Sequence, residues 1–162
     1  MTALALFLAL VLATAAAHKV HSRDRLGAAA ARLAGVSRSM GDIFLVLAGA
    51  CEAIAAVYLV TPAAMLAGAM IAAVVWASYA LTLWRRFGEV LDCGCEIVVR
   101  PRPVGLEQIM RAGLLAGFAF VVAILPTATL GWEPMFAAAG LFAVYLAASE
   151  IMSIPKPAWR KS

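Results

Sequence analysis

Two cysteines separated by one glycine stand in the segment Asp92-Cys93-Gly94-Cys95-Glu96. They are the side chains of this chain best suited to chemistry. A disulfide across two residues needs a bend, because the Cα atoms sit near the upper edge of the permitted separation, about 4.4–6.8 Å. Gly94 supplies the backbone freedom for that bend. Such a ring is small and strained, and strained disulfides are the labile or catalytic ones. The spacing therefore suits thiol exchange better than structural stapling. Thiolate character decides reactivity: Asp92 and Glu96 oppose it, whereas Arg85, Arg86, Arg100 and Arg102 favour it. Two other readings stay open. Cys51, His18 or His21 could complete a soft-metal site with the pair, although two cysteines alone are too few for a closed zinc site. The thiols could also be reduced and inert, the usual state in the cytoplasm. The sequence itself assigns no metal and no cofactor.

A second candidate lies inside an apolar run. Glu52 falls about halfway along Gly41–Val60. An ionisable group at that depth costs several kcal/mol, about 2.5–3.5 on insertion scales, and marks a functional site by default. It must stay neutral or find a partner. Lys19, at the end of the first apolar run, and Arg111, inside the fourth, are the candidate partners. Arg111 could instead pair with Glu107, its i−4 neighbour. A structural role, holding helices together, is the alternative for all three residues. Cys51 precedes Glu52 and so points to another helix face, where it reads as packing.

These residues are positioned by apolar segments. The chain is 65% hydrophobic and 14% charged over 162 residues, with a mean hydropathy of +0.95. A soluble domain of this length cannot bury so much apolar surface, so the expected fold is an all-α integral membrane protein. A span needs about 20 apolar residues. Five segments answer: Thr2–Ala17, Gly41–Val60, Ala63–Leu83, Leu106–Leu125 and Met135–Ile151. They predict a compact bundle of five transmembrane helices, a single domain over residues 1–152, followed by a short basic tail, 153–162. Pro62 suits a helix start, and Pro126, Gly131 and Pro134 separate the last two spans. Gly113 and Gly117 form a small-residue pair suited to close helix contact. The stretch Val20–Met40, with Leu26, Leu33, Val36 and Met40 at near-helical spacing, reads either as an amphipathic interfacial helix or as a polar loop. Trp76, Tyr79 and Trp84 line the end of the third span; Trp84, beside Arg85 and Arg86, reads as an interfacial anchor, and Tyr58 and Trp132 could mark the opposite interface.

Five spans put 12 of the 13 Lys and Arg residues on one face; Arg111 lies within the fourth span toward that same face. The positive-inside rule makes this face cytoplasmic, with the N-terminus outside and the C-terminus inside. Cleavage after the first segment would place those charges outside, so the first span is expected to be an uncleaved anchor. The net charge of +4 follows from topology, and no basic patch interleaved with aromatics points to nucleic acid.

Several features together resemble a known family. The first span ends in Ala17-His18-Lys19, the second carries Glu52, and Asp92-Cys93-Gly94-Cys95 follows the third. Pro103-Val104-Gly105 then leads into a helix with Arg111 and a Leu-rich run. Over roughly Leu4 to Leu146 the chain is similar to the methylamine utilisation protein MauE family, related to DoxX-like membrane proteins. It departs from that pattern at Glu96-Ile97, after the second cysteine, and at Ala112, after the arginine. The resemblance implies a bacterial plasma-membrane protein that handles disulfides during maturation of methylamine dehydrogenase, alongside a thioredoxin-like partner of the MauD type. Cys93 and Cys95 would then be the exchanging pair, with Glu52, Lys19 and Arg111 shaping the bundle interior. The charge map places the two cysteines on the cytoplasmic side, whereas the implied client matures outside. Competing readings are a non-catalytic anchoring or assembly protein and a small soft-metal carrier.

Overall fold

The chain is seen in a computed structural model that describes residues 2–91, 102–124 and 131–153. Six α-helices form: α1 Ala3–His21, α2 Arg23–Ala34, α3 Arg38–Leu59, α4 Met65–Arg85, α5 Leu106–Ile124 and α6 Trp132–Ser153. All but α2 are long and apolar enough to cross a bilayer. Each expected span thus has its helix, extended by a few residues where polar caps carry it into the interface. Helices satisfy every internal backbone group within the segment, which hydrocarbon demands. Dozens of large apolar side chains, among them Val46, Leu47, Val74, Phe136 and Val144, point outward, as expected where lipid replaces water around the bundle.

Local signals explain the boundaries. The Thr2 hydroxyl accepts from the Ala5 N–H and starts α1; His18, Lys19 and His21 sit in its last turn, where cations suit the helix dipole. Ser37 caps α3 through the Met40 N–H, and Arg38 pairs with Asp42 at 3.2 Å, one turn on. Pro62 opens a short 3₁₀ turn, Pro62–Ala64, between α3 and α4. Pro134 does not separate the last two spans; it lies in the first turn of α6, where its missing N–H costs nothing.

The stretch Val20–Met40 is neither one helix nor a loop. Val20 and His21 close α1, and α2 follows, with Leu26 and Ala29 buried. Gly35 ends α2 at φ 70°, the left-handed conformation that glycine adopts without penalty. Val36 lies in the turn, and Met40 already belongs to α3.

Four helices pack in the sequence α5–α4–α3–α1, and α6 leans on α1; α2 lies along α3. Helix backbones approach closely at Gly41 and Gly68. A Cβ on Gly41 would meet the Ala31 Cβ and the Gly27 carbonyl oxygen at 2.6 Å, and one on Gly68 would meet the Leu59 nitrogen at 2.7 Å. Gly113 and Gly117, the expected contact pair, have nothing within 4 Å of an added Cβ. They lie on an open face of α5, because its packed stripe is Gln108, Ala112, Leu115, Ala119 and Val122.

The core occupies one half of the bundle. It is built from Ala5, Leu8 and Leu12 of α1, Ala55 and Leu59 of α3, Ala69, Ala72 and Trp76 of α4, Leu115, Ala119 and Val122 of α5, and Ala138 of α6. These positions lie at the N-terminal ends of α1, α4 and α6 and the C-terminal ends of α3 and α5. All therefore lie toward the end away from the basic residues.

A two-residue antiparallel ladder, β1 Val90–Leu91 with β2 Arg102–Pro103, stands at the basic end. Gly88 and Val104 extend it: Gly88 N–H donates to the Val104 carbonyl, and Val104 N–H donates to the Glu89 carbonyl, both at 2.9 Å. The Arg86 guanidinium binds the Leu33 carbonyl of α2 at 3.2 Å and Glu89 at 3.3 Å. This ties the ladder to the bundle.

Candidate functional site

The inward stripe of α3 runs Gly41, Leu45, Glu52, Ala55 and Leu59, at helical steps of three, four and seven. Glu52 therefore faces the interior and is 1% exposed. Lys19 meets it from the last turn of α1: the ammonium lies 2.8 Å from each carboxylate oxygen. The Tyr79 hydroxyl of α4 donates to Oε1 at 2.7 Å. The Lys19 ammonium also sits 5.5 Å from the centroid of the Tyr79 ring, within cation–π range. One carboxylate thus binds side chains of two other spans through charge-assisted bonds, which are shorter and stronger than neutral ones. The cost of burying Glu52 is met by a partner.

A cavity of about 690 Å³ fills the half of the bundle that the core leaves open. Glu52, Lys19 and Tyr79 stand on its wall with His18, Gln108, Arg111, Tyr145 and Glu150; Trp76, Leu83, Leu115 and Phe142 supply apolar surface. Arg111 is thus brought to the same chamber as Glu52 and Lys19. The His18 Nε2 atom accepts from Arg25 at 3.0 Å and links α1 to α2, since a guanidinium only donates. Gln108 is 4% exposed, and its Oε1 accepts the Gly105 N–H. This is the reach-back half of a capping box.

Tyr79 and Gln108 were not read as site residues from the sequence. The signal was present in both. Tyr79 continues the inward stripe Ala69, Ala72 and Trp76 of α4, and Gln108 begins the packed stripe of α5 at a four-residue step. A polar group in register with a buried apolar stripe must meet a polar partner. Trp76 is buried, whereas Trp84 and Trp132 stand exposed at opposite ends of the bundle.

Cys93 and Cys95 lie outside the described residues. The residues that flank their segment, Leu91 and Arg102, are paired with each other at the basic end. Cys51 is exposed on the outer face of α3, so it is not core packing. Among the described residues, no three His, Cys, Asp or Glu side chains gather as metal ligands.

Five apolar helices around a buried polar centre define a multi-pass helical membrane protein. Within that class, residues 1–125 match the model of the family "Methylamine utilisation protein MauE", and the chain belongs to that family. The match takes in Lys19, Glu52, Tyr79, Cys93, Cys95, Gln108 and Arg111, and it stops short of α6. No curated protein and no solved structure matches the chain. Membership suggests an accessory role in methylamine utilisation.

Proposed function

We propose that this protein is a membrane accessory factor for thiol–disulfide handling during maturation of an extracytoplasmic enzyme such as methylamine dehydrogenase. On this reading Cys93 and Cys95 exchange with a thioredoxin-like partner of the MauD type. The family match across the Asp92-Cys93-Gly94-Cys95 segment carries the reading. Two physical facts support it. The flanking ladder is anchored to α2 and α4 through Arg86, so both ends of the dithiol segment start from a fixed base. That base also stands at the end of the bundle where the polar cavity lies. The protein sits in the plasma membrane of a bacterium as one helical domain, with its N-terminus outside and the basic face cytoplasmic. On this topology Leu91 and Arg102, which flank the dithiol segment, lie at the cytoplasmic end, so an external client would be served through the partner rather than by direct exchange with the pair.

The test is complementation of a strain lacking the gene, scored by methylamine dehydrogenase activity. Cys93→Ser and Cys95→Ser each abolish it, and one of them traps a mixed disulfide with the thioredoxin-like partner. Full activity from both variants overturns the reading. That result would favour the assembly role, for which the outward faces of α6 and of Gly113 and Gly117 offer unoccupied surface.

A further inference from the structure

We infer that the cavity is a binding site for a membrane-soluble amphiphile with a neutral, hydrogen-bond-accepting headgroup. The inference does not depend on the thiol reading. Its starting point is the gap in the helix ring. The steps α5–α4, α4–α3, α3–α1 and α1–α6 are all packed, whereas α5 and α6 lean on α1 and hardly touch each other. Both helices line the cavity, α5 through Gln108, Arg111, Ala112 and Leu115 and α6 through Phe142, Tyr145, Leu146, Ser149 and Glu150. The seam between two spans faces lipid, so a ligand dissolved in the bilayer reaches the chamber without crossing water. The volume, about 690 Å³, falls within the range of small-molecule sites, about 300–1,000 Å³.

The wall chemistry selects the headgroup. Two cations, Lys19 and Arg111, are matched by two carboxylates, Glu52 and Glu150, so with His18 neutral the lining carries no net formal charge. The Lys19 ammonium is already held by both oxygens of Glu52. An anionic phosphate head finds no surplus cation here, and a cationic head no surplus anion. What the wall does offer is a buried donor. The Gln108 carbonyl oxygen is taken by Gly105, but its amide N–H group has no partner among the described residues. Buried donors are almost always satisfied, and a carbonyl or ester oxygen of a ligand supplies the acceptor. A membrane quinone and a diacylglycerol share that chemistry.

The test is native mass spectrometry and calorimetric titration of the full chain in phosphatidylcholine nanodiscs. The probes are decylubiquinone, dioctanoylglycerol and dioctanoyl phosphatidylglycerol. Saturable one-to-one binding of a neutral probe is expected, and which neutral probe binds tighter identifies the source. Gln108→Glu keeps the acceptor for Gly105 but removes the amide donors, and binding should weaken by about tenfold, the equivalent of one hydrogen bond. Ala112→Phe, which fills the chamber, should do the same, whereas Gly113→Leu, on the open face of α5, should leave binding unchanged. Thermal unfolding of each variant separates lost binding from lost folding. Absence of saturable binding by both neutral probes overturns the proposal. So does tighter binding of the phosphatidylglycerol, or unchanged affinity in folded Gln108→Glu and Ala112→Phe proteins. Loss of binding with intact complementation by the cysteine pair, or the reverse, tells this site's failure from that of the thiol reading.

Discussion

The two members of the central ion pair differ in access to water, and this predicts unequal costs of removing them. Glu52 is 1% exposed, whereas the Lys19 side chain is 19% exposed. Lys19→Met strands a carboxylate that cannot reach solvent, with the Tyr79 hydroxyl still donating to it. Breaking a buried pair in this way costs about 3–5 kcal/mol. Couplings between membrane helices run smaller, so the low end, about 3 kcal/mol, is expected. Glu52→Leu leaves an ammonium near the end of α1, on a long stem that can snorkel toward the basic interface. Its cost is mainly the lost hydrogen bonds, about 1 kcal/mol net. The double variant Lys19→Met, Glu52→Leu removes both charges and should cost less than Lys19→Met alone. For a chain of this size 1 kcal/mol moves the unfolding midpoint by about 2–4 °C. Lys19→Met should therefore fall by about 6–12 °C in one detergent, followed by tryptophan fluorescence, and the other two by about 4 °C or less. Equal losses for the two single variants, or a double-variant loss equal to their sum, would refute the argument that access to water sets the cost.

Four further outcomes are expected. Tyr79→Phe keeps the ring against Lys19 and removes the bond to Glu52, which should lower stability by about 1 kcal/mol in the same thermal assay. Gly41→Val and Gly68→Val drive a side chain into a neighbouring helix and should each cost about 1–3 kcal/mol, while Gly117→Leu should stay within about 0.5 kcal/mol of the parent. Cys51→Ala should be equally silent, and membrane-impermeant maleimide should label parent and Cys51→Ala protein to the same extent in vesicles, since Cys51 faces lipid. With all three native cysteines replaced, Ser37→Cys should label from the cytoplasmic side and Thr61→Cys from outside; the opposite pattern would reverse the assigned orientation.

Length and hydropathy made the five spans legible, because a helix that faces lipid shows its apolar character all round. The same property hid the inward faces. On α3 the charge of Glu52 marked the buried side directly. On α4 and α5 nearly every residue is apolar or small, so periodicity could not say which side of Gly113 and Gly117 meets a neighbour, and the glycine pair was assigned to packing that the Ala112–Leu115–Ala119 stripe performs. Tyr79 and Gln108 were readable in principle as polar groups in register with those stripes, but that register emerges only once the packed face is known. Lys19 was legible as a partner because a carboxylate halfway along an apolar span needs a counter-charge, and Lys19 is a cation at the end of the neighbouring span in sequence. Cys51 misled because a thiol in an apolar run looks the same whether it packs against protein or lipid.

The distribution of packing bears on what the polar centre is for. A buried ion pair adds little net stability, since desolvation offsets most of its attraction, and the core at the opposite end already binds α1, α3, α4 and α5 through apolar contact. Stability alone therefore gives no reason to place Lys19, Glu52 and Tyr79 where the core stops. Position gives one. At that depth the cavity lies between the helices, so apolar packing alone is not what joins them there. The carboxylate of Glu52, bonded to α1 and α4 at once, holds three helices in register. It does so at the wall that a ligand would meet, so the register of the bundle and the shape of the chamber are set by the same three side chains.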